Sequence, residues 1–156
     1  MTERPILEAL RVTISTLTST GTSTARDATL APIAIGWATV ESDRAIAELV
    51  DALALDASAF LPATGSAVLG SFVLVASGVL DGAVDLAVVE PSTEGRLTAH
   101  LARHGEGPTV AWLAASTMDS TNPGTSGPFG SERLLAPQPD GLLRLLVATA
   151  PGTITR

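Results

Sequence analysis

The sequence predicts an α+β protein: a curved mixed sheet, rich in antiparallel pairs, with helices on its outer face. Three observations predict it. Short apolar runs rich in β-branched residues recur along the chain, separated by clusters of Gly, Pro, Ser and Asp. Two segments, near residues 42–54 and 94–104, space their apolar residues at the helical period instead. The stretch Val84–Gly107, VDLAVVEPSTEGRLTAHLARHGEG, fits a strand, a short helix and a Gly-bounded turn into few residues before a further strand, PTVAWLAAS.

Taken in order, Val12, Thr13, Ile14 and Thr16 are β-branched, which predicts a strand near residues 10–18. The Ser/Thr/Gly-rich stretch Thr18–Thr29 reads as a loop. Pro32–Val40 follows as a strand. Ser42 is then a candidate N-cap for an amphipathic helix over 42–54, with Asp43 at its positive end and Ala45, Ile46, Leu49, Val50 and Leu53 on one face. After a loop at Pro62 to Gly65, strands are predicted at Ala67–Ala76 and Ala83–Glu90, joined by a hairpin at Asp81-Gly82. A helix at 94–104 turns Leu97 and Leu101 inward, and Gly105 ends it. A strand at Thr109–Ala115, a long loop Ser116–Gly130, and strands Glu132–Ala136 and Leu142–Thr149 around a turn at Pro137–Gly141 complete the chain.

Composition narrows the chemistry. The 156 residues suit about one domain with a real core. A net charge of −7 argues against nucleic acid, where a basic stripe is expected, and is compatible with a cationic ligand. There is no Cys and no Tyr, and all nine basic residues are Arg. Thiolate, phenol and Schiff-base chemistry are therefore excluded, leaving Asp, Glu, two His, Ser/Thr and Arg. The N-terminus mixes charges into its apolar residues, unlike a signal peptide. The uncharged run Ala57–Leu80 is broken by Pro62, Gly65, Gly70 and Gly78, so no membrane span is expected and a cytoplasmic location is.

Three pieces of the chain carry a family resemblance. VDLAVVEP…LARHGEG, LLAPQPDGLLRLLVA (134–148) and IGWATVESDRAIAEL (35–49) resemble the vicinal oxygen chelate superfamily, whose members include glyoxalase I, methylmalonyl-CoA epimerase, bleomycin-resistance proteins and extradiol dioxygenases. Within it, the Glu-Pro strand end and the Gly-Glu-Gly helix end look most like the epimerase type. The resemblance covers most of 32–150 and implies βαβββ modules in tandem, forming a half-barrel around one pocket, here with the second module reduced because no helix is evident in 116–130. Residues 1–31 have no counterpart and are expected to form an N-terminal extension; 32–156 is expected to be one domain. The family's metal-holding His, Gln and Glu positions fall at Ala34 or Ile35, Ala87, near Val110, and at Arg144 or Leu145. None of these can bind a divalent cation, so no metal and no other cofactor is expected. A missing helix would leave a sheet face bare, and with the dimers common in this superfamily that implies a homodimer.

Candidate site residues follow from strand parity. Asp85 and Ala87 share a face, and Asp85 is a candidate general base. Trp112 shares a face with Val110 and could wall a ligand site, with Trp37 a second aromatic whose register is open. Arg144, in mid-strand, could fork onto a carboxylate or enolate oxygen. Glu90 ends its strand near the expected rim and is the other candidate proton carrier. His100 and His104 stand at i, i+4 with Glu106 close by, a spacing that can grip a metal; lacking a third ligand, they read as surface residues on an outer helix. The function expected is metal-independent binding of a small organic ligand in an apolar cavity, of the sequestration or resistance type. The alternatives are a metal-free isomerase, cyclase or lyase using a carboxylate base with Arg144, and a glyoxalase- or epimerase-type metalloenzyme.

Overall fold

The structure, a computed structural model, describes residues 3–20, 30–80, 84–115, 125–136 and 141–147. The Asp81-Gly82 turn, most of the expected loops Thr18–Thr29 and Ser116–Gly130 and most of the Pro137–Gly141 turn lie outside the described residues. Three helices, α1 (Glu3–Thr20), α2 (Ser42–Leu53) and α3 (Arg96–His104), accompany eight strands. These are β1 (Leu30–Ala38), β2 (Leu61–Ser66), β3 (Ser71–Leu80), β4 (Val84–Pro91), β5 (Gly107–Ala115), β6 (Thr125–Gly127), β7 (Gly130–Leu134) and β8 (Leu143–Val147).

All eight strands form one sheet in the order β2-β3-β4-β1-β5-β8-β7-β6. Only β1–β4 and β5–β8 are parallel pairs. Each half repeats one pattern, first strand beside fourth, then third, then second, and the halves meet at the antiparallel β1–β5 pair. The edge strands β2 and β6 approach each other, so the sheet is a nearly closed half-barrel. The α+β half-barrel predicted from sequence is thus the architecture found.

Strand parity sorts the side chains onto two cores. Ile35, Leu86, Val88, Ala111 and Leu113 point to the convex side and pack under α1 and α2. Ala34, Ala87, Val89, Val110, Trp112, Leu145 and Val147 point to the concave side and meet Leu97 and Leu101 of α3.

The segment expected as a strand near 10–18 is instead the middle of α1. Ile6, Leu10, Thr13 and Leu17 recur at helical spacing and are buried, whereas the β-branched Val12 is 53% exposed. The Thr hydroxyls are accommodated by back-bonding: Thr13 Oγ1 donates to the Ala9 carbonyl and Thr16 Oγ1 to that of Val12, each at 2.9 Å. Burial of an amphipathic face on the sheet outweighs local β propensity here. The loop expected at Pro62 to Gly65 is the edge strand β2, a position that tolerates Pro and Gly, and β3 starts later than expected. Likewise Thr125–Gly127, inside the expected long loop, forms β6.

Two carboxylates fix the helix junctions. Ser42 is the first helical residue rather than the cap, and the Glu90 carboxylate accepts its N–H at 2.8 Å from the neighbouring strand. Glu106, between Gly105 (φ +80) and Gly107 (φ +145), accepts the Val40 N–H at 3.0 Å and a 2.9 Å bond from Arg44. Positive φ on both sides lets the Gly-Glu-Gly turn aim that carboxylate back at the start of α2. Burial alone would raise the Glu106 pKa, but the Val40 N–H and the Arg44 guanidinium outweigh it and hold it low.

The bare outer face expected over the second half is not found at β8, where Arg144 and Leu146 are only 7% and 6% exposed. Among the described residues no helix is long and apolar enough to cross a membrane. Because Leu10 is buried between α1 and the sheet, Leu10→Ala is expected to cost about 2–5 kcal/mol in urea denaturation. A loss below about 1 kcal/mol would show that α1 is not part of the core.

Candidate functional site

The concave floor is built by the pleat. Across the sheet, Asp85, Ala34, Trp112, Leu145 and Leu134 stand in one register row, and Ala87, Gly36, Val110 and Leu143 in the next. Ala34, Ala87, Val110 and Leu145 are fully buried and offer no donor atom to a cation. Among the described residues no three His, Cys, Asp or Glu side chains come together to hold a metal ion. The Trp112 ring lies over Gly36, where a Cβ would sit 2.9 Å from it, and meets Phe129 edge-on at 5.1 Å.

One carboxyl is sunk into this floor. Glu132, on β7, is fully buried. It accepts the Trp112 indole N–H at 2.8 Å and the Ser66 hydroxyl at 2.5 Å. Ser66 Oγ in turn accepts the Leu69 N–H at 3.2 Å. Ser66 belongs to β2 and Glu132 to the strand beside β6, so this hydrogen bond crosses the seam of the half-barrel. Gly127 on β6 makes the crossing possible, since a Cβ there would overlap the carboxylate. Burial pushes the Glu132 pKa up, against the lowering effect of the Ser66 and Trp112 hydrogen bonds. Sequence reading passed over Glu132; the signal available was a lone carboxylate on the same parity as the apolar Leu134.

The sequence-derived candidates are dispersed. Ala87, Val110 and Trp112 share the concave floor. Asp85 is on that face but at the start of β4, where it accepts the Gly78 N–H at 2.7 Å across a register shift in β3. Glu90 is committed to the α2 N-terminus. Trp37 packs against the convex core, its side set by the alternation from Ile35. Arg144 alternates with Leu145 and pairs with Ala111, so it lies on the convex side, away from Trp112.

Open space lies at one mouth of the barrel. Strand directions put the ends of β1, β4 and β7 and the starts of β5 and β8 at that mouth, and α3 lies across it. A cavity of about 300 Å³ remains between α3 and the β7–β8 strands. Leu134, Leu135, Leu142 and Leu143 form its apolar wall, and Arg96, Ala99, His100 and Arg103 its helical wall. His100 is 8% exposed, and its Nε2 has no hydrogen-bond partner. Its ring centroid is 4.5 Å from that of His104. Burial, with the charges of His104 and Arg103, lowers the His100 pKa. The His pair read as a surface feature is therefore half interior.

Two outcomes test the buried carboxyl. Its raised pKa means that the folded state holds a proton that the unfolded chain releases above about pH 4.5. Its contribution to stability is full below that pH and is lost as pH rises through the folded pKa. The stability of wild type relative to Glu132→Gln should therefore fall as pH is raised from 4.5 in urea denaturation; a difference flat in pH would refute the burial effect. Gly127→Ala should cost about 1–3 kcal/mol by the same measurement, because the carboxylate has nowhere to retreat.

No protein-family profile and no curated protein sequence matches the chain. Solved structures do. A hypothetical protein from Bacillus halodurans C-125 superposes with a TM-score of 0.59 at 16% identity, covering 83% of this chain and 100% of that one. Methylmalonyl-CoA epimerase from Mycobacterium tuberculosis gives a TM-score of 0.55 at 19% identity, covering 77% and 88%. A Streptomyces coelicolor methylmalonyl-CoA epimerase variant, in complex with 2-nitronate-propionyl-CoA, gives 0.57 at 17%, covering 77% and 94%. At these identities the likeness is one of fold alone: the chain shares the half-barrel of these structures.

Proposed function

We propose that the protein is a metal-independent binder of a small organic molecule, of the sequestration kind, with its ligand in the cavity beneath α3. One observation above all supports this reading. The strand positions that the resemblance assigns to metal donors carry Ala34, Ala87, Val110 and Leu145, packed together, while free space lies at the adjoining mouth. An apolar wall with a few convergent polar groups is the usual make-up of a small-molecule site, and about 300 Å³ is at the small end of the range. Trp112, Val110 and Ala87 then form the rigid backing of the site, because Leu143 continues the Val110 row and Leu134 the Trp112 row.

A second reading, a metal-free isomerase or lyase, is favoured by Glu132. A carboxyl whose pKa is pushed up by burial beside an indole is the kind of group that moves protons in enzymes. Glu132 would replace Asp85 and Glu90 as the proton carrier, since those two already hold backbone N–H groups.

The readings separate by experiment. Thermal unfolding with a panel of small anionic, neutral and cationic amphiphiles is expected to give saturable increases in Tm. Ala99→Trp, an exposed helix position on the cavity wall, should abolish them without lowering the Tm of the free protein. A chelator should change nothing. Stoichiometric zinc, nickel or cobalt together with chelator-sensitive epimerase activity on methylmalonyl-CoA would overturn the proposal; chelator-insensitive turnover lost in Glu132→Gln would favour the second reading.

A further inference from the structure

We infer that the cavity beneath α3 takes a small amphipathic organic anion, a carboxylate with a short alkyl chain, its head group held by Arg96, His100 and Arg103 and its chain lying on Leu134 and Leu143. The inference rests on the reading that this cavity is the ligand site and adds the chemical class of the ligand. Arg96, His100 and Arg103 fall at i, i+4 and i+7 of α3 and so form one stripe, the stripe that lines the cavity.

Two features of that stripe are unexplained by folding alone. Arg96 is the first residue of α3, directly after the N-cap Gly95, and the first turn contains no acidic residue. A cation there opposes the helix dipole, and Arg96 forms no ion pair with a described residue. His100 lines the cavity and is more than nine-tenths buried, and its Nε2 has no partner among the described residues. An unsatisfied buried nitrogen is costly, and a carboxylate oxygen would supply what it lacks. Arg103 flanks it on the same wall, likewise with no ion pair to a described residue. Among the described residues the opposite wall is leucine throughout. In a chain with a net charge of −7, this is a local concentration of positive charge around an apolar slot. It suits an anion with an apolar tail, and it displaces the cationic ligand that net charge alone suggests.

Hexanoate, hexanamide and hexylammonium share a size and differ in charge, and isothermal titration at pH 7 compares them. Hexanoate is expected to bind about tenfold or more tighter than hexanamide, with hexylammonium weakest. The double variant Arg96→Gln/Arg103→Gln, altered only at exposed positions, should lose about tenfold in hexanoate affinity and keep its hexanamide affinity. In the wild type, hexanoate should also shift the His100 imidazole resonances. Equal binding of hexanoate and hexanamide, or unchanged hexanoate affinity in the double variant, would overturn the anion assignment and leave the cavity as a ligand site. If none of the three binds, and Ala99→Trp behaves as wild type with every amphiphile, the anion assignment and the cavity reading both fail.

Discussion

A sheet that is apolar on both faces has to be covered on both, and most of this molecule follows from that constraint. In β1, β4 and β5, consecutive residues such as Leu86, Ala87, Val88 and Val89 are all buried, so neither face can meet water. The convex face is covered by helices. The second half contributes no helix among the described residues, and α1 lies against β1 and β5, where the two halves meet. The concave face is covered by curvature: the sheet rolls until its edges approach, and its own side chains fill the inside.

Filling the inside has a chemical consequence. A half-barrel that is to hold a cation needs donor atoms and some emptiness on its floor. Here the floor is largely apolar, and a buried carboxyl it keeps, Glu132, lies beside Trp112 and reaches Ser66 across the seam. A buried carboxyl without partners would be strongly destabilising; with two donors it is tolerated and ties the two edges together. A cavity lies at the mouth that α3 crosses, where Arg96 and Arg103 line it in a chain whose net charge is −7.

How much of this could be read from the sequence depends on how local the cause is. The helices α2 and α3 and the strands β1, β4, β5 and β8 declare themselves through periodicity that a short window contains. In α1 the β-branched residues mislead, because what decides is the spacing of Ile6, Leu10 and Leu17 against a sheet that comes later in the chain. β2 hides behind Pro62 and Gly65, which only an edge would accept. The same holds for the site. The concave parity of Ala87, Val110 and Trp112 follows from alternation, but the side taken by Trp37 follows only once Ile35 is placed in the convex core. Glu132 acquires its meaning from Ser66 and Trp112, 66 and 20 residues away, a relation no local pattern encodes. His100 looks like a surface residue until the β7–β8 strands are placed against it.

The two tryptophans, Trp37 on the convex side and Trp112 sealed on the concave side against a carboxyl, also give the molecule a pair of built-in optical labels. Trp37 is only partly buried, whereas Trp112 is fully buried and bonded to a carboxyl, so their emission reports separately on the helix-covered layer and on the rolled interior. Loosening one layer before the other would change the emission spectrum before it changed the backbone signal.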